Sequence, residues 1–382
     1  GVEVTHRNVV NLLQSMARRP GMQATDVLLA VTPVTFDIAA LELFLPLVVG
    51  GRVVIAARET ASDGGRLRDA IAASGATILQ ATPATWRMLA AAGFVPGEGL
   101  KVLCGGEALP ADLAAHLTST GAEVWNMYGP TETTIWSTTA RVRGGVAPSL
   151  GAPIANTSIH VLDQWLRPVA IGTPGEICIG GDGVARGYRG QPALTAAKFV
   201  AIPGRSDGAR LYRTGDVGCL RADATLHYLG RSDDQIKIRG FRVEPAEIEA
   251  ALADCPGVRQ AAVIPHRAGH DDIRLVAFVR SDDADGGADQ YRRQIAARLP
   301  GYMMPSAFVR VETLPLTPNG KINRQALSGA AAEAVSAPSL GCEPPRTPLE
   351  RELAAIWAQV LGTPEVGVGT SFFELGGHSL LA

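Results

Sequence analysis

The 382-residue chain is 46% hydrophobic and 19% charged, with a formal net charge of −2. That length exceeds one ordinary core and predicts two or more domains. The near-neutral balance argues against a nucleic-acid partner held by phosphate neutralisation, and without a run of about 18 apolar residues no membrane partner is expected. Residues 1–7 carry no basic-then-apolar leader pattern. Cys104, Cys178, Cys219, Cys255 and Cys342 are scattered without a CxxC pair, which predicts buried thiols and a reducing, cytoplasmic location.

Up to about residue 140, short apolar runs alternate with Ala/Leu-rich stretches, the texture of α/β units. Residues 53–56 and 101–104 read as buried strands, and 67–74 as a helix with Leu67, Ala70 and Ile71 on one face. From about 140 to 230 short strands and Gly/Pro turns predict a β-rich subdomain. Within it, Gly180-Gly181-Asp182-Gly183 lacks the strand-to-helix placement of a phosphate loop and reads as a β-turn. A compact α+β unit is expected over 231–328, with helices at 245–253 and 290–299 and strands at 260–265 and 273–279. The Ala-rich run from Gly329 has the composition of a linker, expected over 329–346. A last unit then starts at 347, where Thr347, Pro348 and Glu350 form a capping box. Leu349, Leu353, Ile356, Trp357 and Val360 recur at helical spacing and are expected to be core. No internal repeat is visible.

The stretch Asn126-Met127-Tyr128-Gly129-Pro130-Thr131-Glu132-Thr133-Thr134 is the richest in chemistry. Its Gly-Pro step forces a tight loop. Such a loop can offer an aromatic face to a base, hydroxyls to a phosphate and a carboxylate to Mg²⁺; read alone, it is equally a surface turn. Asp37 stands among Phe36, Ile38, Ala39, Ala40 and Leu41, where an unpaired carboxylate is costly. A bound α-ammonium would satisfy it through a charge-assisted bond of about 1.5–3 kcal/mol; a helix N-cap is the alternative.

Further motifs fall in one order: Phe36-Asp37-Ile38-Ala39, Gly175-Glu176-Ile177 through Ala185-Arg186-Gly187-Tyr188, Tyr212-Arg213-Thr214-Gly215-Asp216, and Gly230-Arg231 through Gly240. They continue with Leu299-Pro300-Gly301-Tyr302, Asn319-Gly320-Lys321-Ile322-Asn323-Arg324 and Gly376-Gly377-His378-Ser379-Leu380. With residues 126–134, these closely resemble the amino-acid adenylation domain of nonribosomal peptide synthetases, within the ANL family of adenylate-forming enzymes, followed by the start of a peptidyl carrier domain. The resemblance implies an α/β fold: an incomplete large core over 1–230, a small α+β C-terminal domain, and a partial helical carrier domain over 347–382. The family's phosphate loop would precede Gly1, so the chain is expected to be a piece of a larger synthetase and a poor catalyst alone.

The resemblance also implies roles. ATP, Mg²⁺ and a 4′-phosphopantetheine arm on Ser379 are the expected cofactors. Lys321, Thr131 and Glu132 would be catalytic, with Glu132 also on Mg²⁺. Gly106, Glu107, Ala108 and Tyr128 would hold adenine, Asp216 the ribose hydroxyls, and Arg231 ribose and phosphate; Tyr228 borders the nucleotide or fills the core. Asp233 would be the hinge of a domain swing. Asp37, Ile38, Leu41, Gln80, Leu103, Gly105, Met127, Ile135, Trp136 and Lys321 would line the amino-acid pocket, with Ala81 in place of Gln80 if the loop shifts by one. Bulky Trp136, Met127, Ile135 and Ile38 fill the space for a side chain, which points to glycine, with alanine second. The expected partners are the amino acid, the carrier arm, other synthetase domains in cis and a phosphopantetheinyl transferase. Two rival readings remain. Asp37 argues against an acyl- or aryl-CoA ligase, whose substrates lack an ammonium. The intact Asp37, Glu132, Asp216 and Lys321 set argues against a non-catalytic fragment.

Overall fold

The computed structural model describes residues 1–144, 148–202, 208–223, 225–232, 235–238, 241–267, 273–282, 287–316, 322–336, 344–361 and 366–368. The chain divides into two units, Gly1–Asp233 and Asp234–Ala382. The division falls slightly later than the sequence boundary at 230/231, because Ser232 is still bonded through its N–H and hydroxyl to the Gly215 carbonyl.

The first unit is built on β1 (Val27–Ala30), β2 (Arg52–Ile55), β3 (Ile78–Ala81), β4 (Lys101–Gly105), β5 (Glu123–Tyr128), β6 (Thr138–Arg141) and β7 (Ala152–Pro153), in the order β2-β1-β3-β4-β5-β6-β7. The first five are parallel; β6 and β7 are antiparallel additions. Helices α1 (His6–Met16), α2 (Ala39–Val49), α3 (Arg58–Ala61), α4 (Gly64–Ser74), α5 (Pro83–Ala91) and α6 (Ala111–Thr118) connect and cover the strands. Side chains alternate across each strand, so each sheet face has its own core. Leu29, Leu79, Ala81, Val102, Cys104 and Val124 pack against α4, α5 and α6. Leu28, Ala30, Ile78, Leu103, Trp125 and Met127 pack against α1 and α2. The remote side of α2 and the edge strand β2 leave Phe44, Leu47, Val48 and Ile55 exposed.

A second sheet, the expected β-rich subdomain, comprises β8 (Thr157–Leu162), β9 (Gly175–Gly181), β10 (Phe199–Ala201), β11 (Arg210–Leu220) and β12 (Leu226–Arg231), with the short helix α7 (Pro192–Lys198) before β10. Asp182 and Gly183 form a turn closed by the Val184 N–H on Gly181 O. α1 is tied to it: Thr5 and Asn8 form a capping box, and the Asn8 amide donates to the Asp182 and Val184 carbonyls.

In the second unit a hairpin, β13 (Ile236–Ile238) and β14 (Phe241–Val243), precedes α8 (Pro245–Ala253). β15 (Val258–Arg267) and β16 (Ile273–Ser281) are antiparallel; after α9 (Ala288–Ala296), β17 (Ala307–Arg310) adds in parallel. α8 and α9 pack on one sheet face and α10 (Arg324–Ser336) on the other. Arg324 of the Asn-Gly-Lys motif is structural here: its guanidinium grips both oxygens of Glu249 at 2.7 and 3.1 Å and the Val263 carbonyl at 3.0 Å.

Two expectations change. The linker assigned from 329 is helical to Ser336, as part of α10; an alanine-rich run has the strongest helix propensity, and Ala331 is fully buried against the sheet. The capping box at Thr347 is present and opens α11 (Pro348–Leu361). Its stripe is not core, because Leu349, Leu353, Ile356 and Val360 are all exposed. An amphipathic stripe is buried only when a second apolar layer faces it; of this one only Trp357 is half-buried. No helix among the described residues is long and apolar enough to cross a membrane.

Candidate active site

In open parallel sheets, ligands bind beyond the carboxyl ends of the strands. Strands β3 to β5 carry four of the expected pocket residues, Gln80 on β3, Leu103 and Gly105 on β4 and Met127 on β5, together with Tyr128. Ile38, Leu41, Leu103, Met127, Ile135 and Trp136 form one cluster on the α1/α2 face. Gln80, fully buried, joins them: its amide NH₂ donates to Ile38 O and Glu42 Oε1, both at 2.9 Å, and its oxygen accepts the Trp136 indole N–H at 2.9 Å. Ala81 sits in the cluster on the opposite face, so of the two mappings it is Gln80 that meets Trp136.

The indole lies across Gly105. A methyl at Gly105 would come within 2.5 Å of Trp136 Cη2 and 2.6 Å of the Met127 carbonyl oxygen. A backbone oxygen cannot swing aside as a side-chain tip can. Gly105→Ala is therefore expected to destabilise the fold by about 1–3 kcal/mol, read as a lowered denaturant midpoint; an unchanged midpoint would contradict this packing. Thr134 and Ile135, just before Trp136, have φ of 65° and 71°. β-branched residues rarely enter this left-handed region, at a cost of about 1–3 kcal/mol each. The turn is held by Thr134 Oγ1 donating to Gly183 O at 2.7 Å and by Ser137 N–H donating to Tyr128 O at 2.8 Å.

Behind the pocket stands Glu42 on α2, an acid the sequence reading passed over. It is fully buried and accepts from Val31 N–H at 2.9 Å, Thr32 N–H at 3.0 Å, Thr32 Oγ1 at 2.5 Å and Gln80 Nε2 at 2.9 Å. Burial pushes its carboxyl above the usual carboxylate range, against the pull of those hydrogen bonds. The only sequence signal was an acid amid apolar helix residues, which also suits a surface helix.

Polar residues follow along the 128–137 loop. Thr131 Oγ1 donates to Asp37 Oδ2 at 2.6 Å. Asp37 is half-buried and is not the cap of α2, whose N-cap residue is Ile38. Glu132, buried on a short 3-10 turn, accepts from the Tyr188 hydroxyl at 2.6 Å, and Tyr188 lies 3.3 Å from the Tyr212 hydroxyl. Tyr188 is the second functional candidate that sequence reasoning did not single out. Asp216 is 5% exposed; it accepts from Tyr128 OH and from Arg231 Nη1, both at 2.7 Å. A register shift in β11 between Arg213 and Val217, with Gly215 at φ 75°, turns Asp216 out of regular alternation. Arg231 also donates to Thr214 O at 3.0 Å. Tyr128 is buried with Leu150, Val161, Ile177, Ile179 and Leu226; burial and the Asp216 charge push its phenol well above its ordinary value. Its hydroxyl therefore holds Asp216.

Gly106, at φ 90°, lies beside Thr82 and the Phe36 ring; Glu107 is half-buried and Ala108 exposed. Tyr228 is exposed on β12, so it does not fill the core. Lys321, Asp233 and Ser379 lie outside the described residues. Among the described residues, no group of three or more His, Cys, Asp or Glu could hold a metal by itself. Mg²⁺ at nucleotide sites needs only one or two carboxylates, with phosphate and water completing its shell, a demand that Glu132 fits. Cys104, Cys178 and Cys255 are buried free thiols and Cys219 is half-buried.

A buried apolar cluster beside a polar strip lies at the strand ends, where open parallel sheets bind their ligands. The AMP-binding enzyme family matches residues 1–189, the AMP-binding enzyme C-terminal domain 247–321 and the phosphopantetheine attachment site 351–382. The chain belongs to the AMP-binding enzymes, as an adenylation domain of the nonribosomal peptide synthetase type followed by carrier-domain sequence. Over its full length it is 48% identical to a dimodular nonribosomal peptide synthase of Bacillus subtilis, of which it spans 16%. It is 43% identical to a phosphinothricin tripeptide synthetase of Streptomyces viridochromogenes, spanning 33% of that protein. A four-domain nonribosomal peptide synthetase solved in holo form with AMP and glycine matches at 43% identity and a TM-score of 0.60, over 100% of this chain and 28% of its own. A holo protein containing adenylation and PCP domains, bound to a vinylsulfonamide inhibitor, matches at 30% identity and a TM-score of 0.73, over 94% of this chain and 60% of its own.

Proposed function

We propose that this chain is the part of a synthetase that activates glycine with ATP and passes the glycyl group to a 4′-phosphopantetheine thiol on Ser379. The observation that carries glycine is the Trp136 indole lying across Gly105, with its N–H fixed by Gln80. With Ile38, Met127 and Ile135 in the same cluster, little room remains for a side chain. The synthetase bound to AMP and glycine, at 43% identity, supports the same choice. Asp37, reached by the Thr131 hydroxyl, would pair with the α-ammonium, which favours an amino acid over a simple acid.

In the first half-reaction a carboxylate oxygen of glycine bonds to the α-phosphorus as pyrophosphate leaves; in the second the thiolate bonds to the acyl carbon as AMP leaves. A carboxylate offers about four acceptor sites, so Asp216 retains capacity for ribose hydroxyls while bonded to Tyr128 and Arg231. Gly106, Glu107 and Ala108 would edge the adenine, with Tyr228 at the border. Thr131 would bind the α-phosphate, and Glu132, steadied by Tyr188, would hold Mg²⁺. When bound, that ion neutralises phosphate charge. Lys321 would bridge the substrate carboxylate and the phosphate, and Asp233 would be the hinge that changes its position between half-reactions. Other synthetase domains in cis and a phosphopantetheinyl transferase would complete the pathway.

The test is ATP–pyrophosphate exchange across the amino acids, in a synthetase module that contains this chain. Glycine should be preferred; preference for a bulky or charged amino acid would overturn the pocket assignment. Lys321→Ala should abolish exchange, by about 100-fold or more as for loss of a transition-state donor, yet spare thioester formation from supplied glycyl-AMP. Equal loss in both assays would refute a role confined to one half-reaction.

A further inference from the structure

We propose that Glu42 is the positioning residue that sets the selectivity of this pocket: through Gln80 it fixes the Trp136 indole across Gly105 and shuts out a substrate side chain. The inference rests on the glycine reading of that pocket. It follows from donor and acceptor polarity. Gln80 stands between two acceptors, Ile38 O and Glu42 Oε1, and one donor, the Trp136 N–H. Only one orientation of its amide satisfies all three, with NH₂ toward Glu42 and oxygen toward Trp136. Turned over, the amide would set its oxygen against the Ile38 carbonyl and its NH₂ against the indole N–H, so the three partners together hold one orientation.

Glu42 is itself immobilised. The Val31 and Thr32 N–H groups and the Thr32 hydroxyl bind it, so the loop after β1 is linked through two side chains to the indole. All three members of the relay are essentially buried, Glu42 and Gln80 at 0% and Trp136 at 1% exposure. A buried network of this kind resists rearrangement, since each broken bond strands a polar group. The apolar neighbours alone would fill the volume but would not choose the ring's orientation.

Glu42→Gln keeps the shape and reverses the polarity. Its amide NH₂ would meet the Gln80 NH₂; turning Gln80 to relieve this would present NH₂ to the indole N–H. The experiment is pyrophosphate exchange with glycine and alanine in a module containing this chain. Wild-type preference for glycine checks the pocket reading separately; a wild-type enzyme that prefers a bulkier amino acid removes that reading before any variant is made. Given that preference, Glu42→Gln should lower the glycine-to-alanine ratio of kcat/KM at least about tenfold, the scale of one-methylene discrimination. In a Trp136→Phe background, which has no N–H to orient, Glu42→Gln should leave the ratio unchanged. An unchanged ratio in the single variant, or an equal drop in both backgrounds, overturns the proposal. If Glu42→Gln does not fold, Gln80→Met decides: it leaves the bonds from Val31 and Thr32 to Glu42 intact but breaks the relay, and it should lower the ratio similarly. A wild-type ratio there is equally fatal.

Discussion

Trp136→Ala should widen the amino-acid pocket to alanine and larger amino acids. The indole is 1% exposed and packed among Ile38, Leu103, Met127 and Ile135. Its removal opens a cavity, and aromatic-to-alanine changes of this kind cost about 3–5 kcal/mol. Gln80 also loses the donor on its oxygen, part of that same cost. A substrate side chain that enters the space recovers some of the lost contact, whereas glycine recovers none. Ratios of kcat/KM should therefore move toward alanine and beyond by about 10–200-fold. Exchange rates across a series of side-chain sizes, with thermal unfolding in parallel, measure both effects. A folded variant with the original ranking would show that the indole does not border the substrate.

Asp216→Ala should be the most damaging change on the nucleotide side. The carboxylate takes charge-assisted bonds from Tyr128 and Arg231, and the Arg231 side chain is only 12% exposed. Breaking a buried ion pair by deleting one partner costs about 3–5 kcal/mol, because the remaining charge is stranded. Tyr128→Phe removes one of the two bonds and leaves the ion pair, so its cost should be about 1.5–3 kcal/mol. The milder Asp216→Asn keeps the volume but turns an NH₂ toward a donor. It should weaken AMP binding about 10–100-fold, the equivalent of one charge-assisted bond. Calorimetric AMP titration of folded Asp216→Asn checks this; wild-type affinity would mean that the carboxylate serves only the fold.

Much of this architecture could be read from the residues. Short apolar runs located β2 and β4, and the helix expected at 245–253 is α8. The pocket was readable through the family resemblance, which names its lining position by position. Polarity was harder. Glu42 lies in a helix otherwise apolar, with nothing local to mark its acid as functional, and only the fold brings Thr32 and Gln80 to it. Tyr188 and Glu132 are 56 residues apart in sequence, and no local pattern pairs them. The register shift that aims Asp216 depends on β9 and β12, so the Thr-Gly-Asp triplet alone could not reveal it. The Ala-rich stretch misled for a different reason: alanine suits both loose linkers and helices, and the sheet face it packs on decided between them.

The left-handed turn at Thr134 and Ile135 bears on any attempt to move this selectivity elsewhere. Its backbone is in a shape that β-branched residues resist, kept there by a carbonyl from the turn after β9, Gly183 O. A host scaffold given the same side chains would relax that turn unless it also supplied the restraint. Its tryptophan would then point along another line, and the pocket would open. Recognition written in this way is not modular at the level of single residues. What can be transplanted is the whole assembly: turn, anchoring carbonyl, amide and buried acid.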